Sequence, residues 1–217
     1  MSTRSDRPDD SEATRDRLID VTIQLLDARG NHALRLADVA RESGVAVSTI
    51  YAHFRDRTDL VAAARLVQFR SHSEGAIDRL ADSIEPSLTS TGFVESAVWP
   101  SLLDPDDPEA RTRRWDRIEA IADSRHIPEL ASQLQDLQSA LNKQVVELVR
   151  RGQDLGVVDP SIDASALAML SQVLRLGLAL WDISGDTRPE TEAWARTVNH
   201  VFASILPHGI PANAPDV

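Results

Sequence analysis

Residues 36–60 read LADVARESGVAVSTIYAHFRDRTDL, and the rest of the chain is organised around this stretch. Leu36, Val39 and Ala40 recur at helical spacing, and Val45, Ile50 and Phe54 resume an apolar face beyond Gly44. Glycine enters the left-handed backbone that ends a helix without the steric cost of a β-carbon. Ala40 is small where two helices must approach closely. The spacing predicts two short helices joined by a tight turn, a helix-turn-helix. Asp56 then serves as the N-cap of a long third helix, with Asp59 placing an acid in its first turn. Val47, Ser48, Thr49, Tyr51 and His53 fall between the apolar anchors and point away from the core.

Asp38-Val39-Ala40, Gly44-Val45, Thr49-Ile50-Tyr51, His53-Phe54 and Asp56-Arg57-Thr58-Asp59-Leu60 resemble the signature of the TetR (tetracycline repressor-like) family of bacterial transcriptional regulators. The resemblance is strong over residues 14–64; beyond them only helix pattern and length agree. It implies that the helix from Val45 to His53 enters the DNA major groove. Val47, Ser48 and Thr49 are then the candidates for base contact, and Tyr51 for a phosphate contact through its hydroxyl. His53 either contacts phosphate or holds the helix end. Thr14 and Arg15 sit where the family approaches the DNA backbone, and Arg57 stands where it usually has a phosphate-contacting Lys. Two positions depart from the pattern: Arg35 replaces a helix-capping Thr, and Ala46 replaces Ser. Both belong to the set expected at phosphate, with Arg35 an added charged donor.

Upstream, residues 1–11 are polar, charged and unable to bury apolar area, which predicts a disordered tail. Leu18, Val21, Thr22, Leu25 and Leu26 then mark an amphipathic first helix from Glu12, closed by Gly30. The net charge of −11 opposes nucleic-acid binding on average. Its distribution does not: residues 1–70 hold 11 arginines and 11 acids, and the whole excess of negative charge lies in residues 71–217. An acidic remainder would keep the body of the protein off the duplex.

Downstream, the long helix from Asp56 runs through Leu60, Val61, Ala64 and Val67 toward Pro86. A shorter helix carries Phe93, Val94, Val98 and Trp99. Pro108 opens a helix through Trp115, Ile118 and Ile121, and another from Pro128 carries Leu130, Leu134, Leu137, Leu141, Val145 and Leu148 to Gly152. Asp163 caps a helix that is apolar nearly all round through Trp181, and a last helix carries Trp194, Val198, Val201 and Phe202. No segment alternates with period two for long enough to be a strand. The fold class is therefore all-α, with four segments: the tail 1–11, a helix-turn-helix DNA-binding domain 12–58, a larger helical ligand-binding and dimerisation domain 59–206, and a flexible tail 207–217.

Leu167, Leu174, Leu178 and Trp181, with Trp194, Val198, Val201 and Phe202, supply more apolar surface than a small bundle needs. Paired with a second copy they would form a four-helix dimer interface. A dimer suits the function, because two reading helices must meet half-sites about one DNA turn apart, around 34–36 Å. The resemblance also implies a small-molecule effector in the second domain, without a shared binding motif. Phe93, Trp99, Trp115 and Met169 are candidate pocket walls, each of the tryptophans equally suited to plain core packing. Arg114, Asp123, His126 and Gln172 are candidate polar anchors, His126 being as well placed to cap a helix.

Other classes find little support. With no cysteine, disulfides and cysteine-based zinc or redox sites are excluded. The polar, acidic start predicts no secretory signal, and no run approaches the roughly 20 apolar residues of a membrane span. There is no G-x-S-x-G, no phosphate-binding glycine loop and no H-E-x-x-H. His72-Ser73-Glu74 imitates the H-x-E of zinc deaminases, but the required cysteines are missing. The expectation is a cytoplasmic, homodimeric, one-component regulator with no metal, cofactor or catalytic residues. It would bind a palindromic DNA operator and be released by a small ligand; the alternatives are an activating or ligand-independent DNA-binding protein, with an enzyme a remote third.

Overall fold

The computed structural model describes residues 8–83, 102 and 104–203, and among these every regular element is helical. In chain order they are α1 (Pro8–Arg29), a 3-10 turn (Asn31–Ala33), α2 (Leu36–Ser43), α3 (Val47–His53), α4 (Arg57–Ser83), α5 (Pro108–Ser124), α6 (Pro128–Asp154), α7 (Ala164–Gly177), α8 (Ala179–Ile183), a second 3-10 turn (Gly185–Thr187) and α9 (Thr191–Ala203). They fall into two compact units. The first is Met1–Arg70 with Ala120–Leu134, the second Ser71–Glu119 with Gln135–Val217. The expected boundary at residue 58 is therefore moved, since α4 stays with the first unit for its first 14 residues and α5 and α6 return to it around their connecting turn. The physical reason is that Leu60, Val61 and Ala64 at the start of α4 are core residues of the helix-turn-helix.

In the first unit α1 begins at Pro8, four residues before the expected start. Residues 8–11, expected in the tail, belong to this helix. Leu18, Ile19, Leu25 and Leu26 of α1 pack with Val39, Ala40, Ile50, Phe54 and Leu60. Gly44, at φ 71° and ψ 25°, ends α2. The Val45 N–H bonds the Ala40 carbonyl at 3.1 Å and the Gly44 N–H that of Arg41 at 3.3 Å, the paired bonds of a Schellman turn. At the head of α4 the Asp56 carboxylate accepts the Asp59 N–H at 2.9 Å, while Asp59 reaches back to the Arg55 N–H at 3.0 Å. This reciprocal cap fixes the chain as it leaves α3.

A buried polar network runs through the same unit. Arg65 on α4 is 1% exposed and sits on the same helix face as Val61 and Phe69, a position that normally takes an apolar residue. Its Nε donates to Asp123 Oδ2 at 3.2 Å and its Nη1 to Gln68 Oε1 at 3.2 Å. Gln68 Nε2 donates to Asp27 Oδ1 at 2.8 Å, and Asn31 Nδ2 to the second Asp123 oxygen at 2.8 Å. Asp123, expected as a ligand anchor, is thus a structural partner of Arg65 and Asn31. The network joins the end of α1, the 3-10 turn, α4 and the end of α5.

The second unit is built on Leu102, Val145, Val149, Val157, Val158, Leu167, Leu178, Trp181, Val198 and Phe202. Arg114 and Asp182, both almost fully buried, pair through bonds of 2.8–3.0 Å. Asp106 receives the Trp181 indole N–H at 3.0 Å, and this bond holds its carboxyl below the usual range, with Thr191 and Arg188 acting the same way. The end of α6 lies beyond Gly152: Gly156, at φ 73°, takes the left-handed position, and the Val157 N–H returns to the Gly152 carbonyl at 2.9 Å. The apolar helix from Asp163 breaks at Leu178 into α7 and α8. By length and composition Ala164–Ile183 could cross a membrane, contrary to the expectation that no run is long enough. Its Leu167, Ala168, Leu178 and Trp181 instead enter this core.

The residues expected at a dimer surface divide within this core. Leu167, Leu178, Trp181, Val198 and Phe202 are buried within the unit, and Leu174 and Trp194 pack against them; of the eight residues named, Val201 alone is an exposed large hydrophobic. Periodicity marks which helices are apolar on two sides but not which side the same chain covers. Phe93 and Trp99 lie outside the described residues.

Asp123→Ala removes a partner of a buried guanidinium and should cost on the order of 3 kcal/mol in urea unfolding. Glu192→Ala, which breaks only the exposed pair with Arg196, should change stability by less than about 0.5 kcal/mol. Asp59 makes a pH prediction. Its hydrogen bond from Arg55 depresses the folded-state pKa, so its contribution is complete above the ordinary carboxylate value and lost as pH falls through the depressed one. Asp59→Asn should lower stability at neutral pH and flatten the acid limb below about pH 4 in melts across that range.

Candidate nucleic-acid interface

α3 is short, and its orientation is set from inside. Ile50 is fully buried and Phe54, its C-cap, nearly so, which turns the opposite face outward. Val47, Ser48 and Tyr51 lie on that face, Tyr51 being 57% exposed, and Thr49 is half-buried. Ala46, the N-cap, is extended and offers no side-chain bond to the helix start. No side chain caps the start of α3, and the Thr49 N–H bonds the Ala46 carbonyl at 2.9 Å. His53 is half-buried with its ring 6.5 Å from that of Phe54, a position suited to holding the helix end.

The arginines divide into two groups. Arg35 is exposed at the N-cap of α2 and makes no side-chain bond to that helix. Arg15 is exposed two turns into α1, its guanidinium 5.2 Å from the centre of the Phe54 ring, and Thr14 beside it is half-buried. The other group is held by the protein. Arg57, expected at phosphate, donates through Nε to the Leu34 carbonyl at 3.0 Å and through Nη2 to the Asn31 carbonyl and to Asn31 Oδ1 at 2.7 Å. It clamps the turn between α1 and α2, and most of its donors are spent there. Arg55 pairs with Asp59 and Glu129, and Arg41 and Arg29 both face Asp38. Asp38 and Asp59 lie within four residues of Arg41 and Arg55, whereas Glu129 and the Asn31 and Leu34 acceptors of Arg57 come from distant segments.

Of the expected effector residues that the structure describes, His126 falls in the first unit and Trp115, Met169 and Gln172 in the second. Trp115 is half-buried on α5 and Gln172 on α7, both in the second unit. His126 is exposed in the turn after α5, in the first unit, where its N–H bonds the Asp123 carbonyl at 3.0 Å. Met169 is largely exposed and borders an open cleft of about 650 Å³ between α6 and α7, with Gln138, Asn142, Lys143 and Ala168. Gln172 instead meets Gln138 and Asn142 in a cluster of amides. Sequence reading missed Asn31, Arg65, Gln138 and Asn142. A signal existed for Arg65 in the helical face it shares with Val61 and Phe69; nothing comparable marks the amides.

Comparison with known proteins agrees with this geometry. Residues 18–64 match the bacterial regulatory proteins of the tetR family. Over 197 residues the chain is 23% identical to the HTH-type transcriptional regulator UidR of Escherichia coli K12, an alignment covering 91% of this chain and 95% of that protein. A protein from Saccharomonospora viridis solved in complex with choline shares the fold at a TM-score of 0.65 and 21% identity, over 92% of this chain and 98% of the other. A TetR-family transcriptional regulator from Cytophaga hutchinsonii aligns at a TM-score of 0.69 and 15% identity, over 90% and 96%. With its reading helix outward and its match over residues 18–64, the chain carries a helix-turn-helix domain of the kind found in the bacterial regulatory proteins of the tetR family, and over its whole length it is similar to helix-turn-helix transcriptional regulators.

Proposed function

We propose that this regulator is a cytoplasmic homodimeric repressor that binds a palindromic DNA operator through α3 and is released by a small molecule held in its second unit. The observation that carries the DNA contact is the outward face of α3, with Val47, Ser48 and Tyr51 exposed over a buried Ile50. Short side chains at base edges discriminate weakly, so much of the affinity must come from phosphate contacts at Tyr51, Arg15 and Arg35 and from two heads acting together.

Support for a dimer comes from a face that is exposed among the described residues. Met169, Leu170, Val173, Leu180 and Ile183 recur at helical spacing along α7 and α8, each 45–68% exposed, and Val201 on α9 is 55% exposed. A contiguous apolar face of this kind marks an interaction surface, and a second copy is the occupant that a two-half-site operator requires. The choline complex of the Saccharomonospora viridis protein supports a small-molecule effector in this fold. α4, α5 and α6 each contribute residues to both units, so a ligand that binds one arrangement of these helices more tightly would bias the reading head. We read the chain as a regulator with no catalytic role.

Arg15→Ala and Arg35→Ala should each reduce the slope of log affinity against log salt by about 1 in operator titrations. Tyr51→Ala should weaken binding roughly tenfold with little change in that slope, because its hydroxyl is neutral. Arg57→Ala should chiefly lower the melting temperature; a normal melt with a flattened salt slope would restore it to the interface. Leu180→Glu with Ile183→Glu should give a monomer in sedimentation at micromolar concentration and lose operator affinity. A double variant that remains dimeric would place the interface elsewhere.

A further inference from the structure

Arg55 stands at the exit of the reading helix, between α3 and α4 and next to Phe54, whose ring lies 5.2 Å from the Arg15 guanidinium. Its side chain is 68% exposed although two carboxylates hold it. Nε and Nη2 donate to Asp59 Oδ2 and Oδ1 at 3.4 and 3.1 Å, a side-on grip on one carboxylate. Nη2 also donates to Glu129 Oε2. Nη1 makes no hydrogen bond among the described residues.

The two acids have different standing. Asp59 is four residues away and also accepts the Arg55 backbone N–H at 3.0 Å, so it belongs to the cap of α4 whatever the guanidinium does. Glu129 comes 74 positions later, in the first turn of α6, where the helix end itself favours an acid. Its side chain is 54% exposed, and among the described residues its carboxylate meets only Arg55. An exposed pair of this kind contributes little to folding and exchanges partners readily.

A guanidinium grips phosphate end-on through one hydrogen of Nη1 and one of Nη2. In Arg55 the Nη1 prong is open and the Nη2 prong is taken by Glu129. A phosphate that engages both must displace Glu129, because the two anions compete for one hydrogen and repel each other there. Asp59, on the Nε side, need not move.

We infer that Arg55 is a further phosphate contact of the reading head and that Glu129 withholds it in the DNA-free protein, so that the Arg55–Glu129 pair and the Arg55–phosphate contact exclude each other. The inference rests on the reading of α3 as the DNA-contacting helix. It adds that an acid carried by α6 sets the affinity of the head.

The test is binding of the full chain to a fluorescein-labelled mixed-sequence duplex of about 30 base pairs across a salt series, since non-specific affinity comes almost wholly from phosphates. R55Q should weaken binding and reduce the slope of log affinity against log salt by about 0.9, the share of one phosphate. E129Q should bind roughly two- to fivefold more tightly at low salt with the slope unchanged, since the same phosphate is reached without a competitor. R55Q/E129Q should lose that gain. A gain that persists in the R55Q background reflects only the removal of a negative charge and overturns the competition. An R55Q slope equal to that of the wild type overturns the contact. Should R55Q fail to fold, E129Q is set against D136N, which removes an exposed acid farther along α6, and equal gains overturn the competition. Y51A separates this inference from the reading beneath it. Binding weakened by Y51A but untouched by R55Q and E129Q overturns the inference alone, and binding untouched by Y51A, R15A and R55Q overturns both.

Discussion

The guanidinium of Arg65, 1% exposed on α4, meets the carboxylate of Asp123 at the end of α5, and the reading head depends on this pair. Charges this deep are costly to desolvate and are tolerated only when each finds fixed partners. Here Asp123 also takes Asn31, Arg65 also takes Gln68, and Gln68 reaches Asp27. A buried ion pair gives little net stability relative to apolar packing, but it permits one register of the helices that carry it. The register it selects puts the end of α5 and the start of α6 in the same unit as α1 to α3. The helix-turn-helix is thus completed by residues more than fifty positions beyond it, which come from helices that continue into the second unit.

The same economy governs the surface arginines. The first 70 residues are electrically neutral, so phosphate affinity depends on which arginines the protein leaves outward. Arg57 closes the turn between α1 and α2, Arg55 is held by Asp59 and Glu129, and Arg29 and Arg41 face Asp38. Arg15 and Arg35 remain exposed. Arg35 stands where a capping residue would otherwise stabilise α2, so a charged donor has been placed at some cost in helix-end hydrogen bonding.

In the second unit the apolar residues exceed what one core consumes. Trp181 on α8 and Val198 and Phe202 on α9 go inward, while Val173 on α7, Leu180 and Ile183 on α8 and Val201 on α9 are exposed. On α5, Arg114 is matched by Asp182.

Local spacing and composition alone determined the helix-turn-helix, the left-handed turn at Gly44, the caps at Asp56 and Asp163, the helix starts at Pro108 and Pro128 and the all-helical class. These depend on backbone sterics and hydrogen bonds within a turn or two, which neighbouring residues settle between themselves. The tertiary structure decided the role of Arg57, the burial of Arg65, the amide cluster and the identity of the exposed apolar face. Each of these turns on a partner far away in the chain: Asn31 for Arg57, Asp123 for Arg65, Gln138 for Gln172. Periodicity reports that a helix has two apolar sides, and a charge count that an arginine is present. Which side is covered and which charge is neutralised is set by packing between distant segments, which no local pattern encodes.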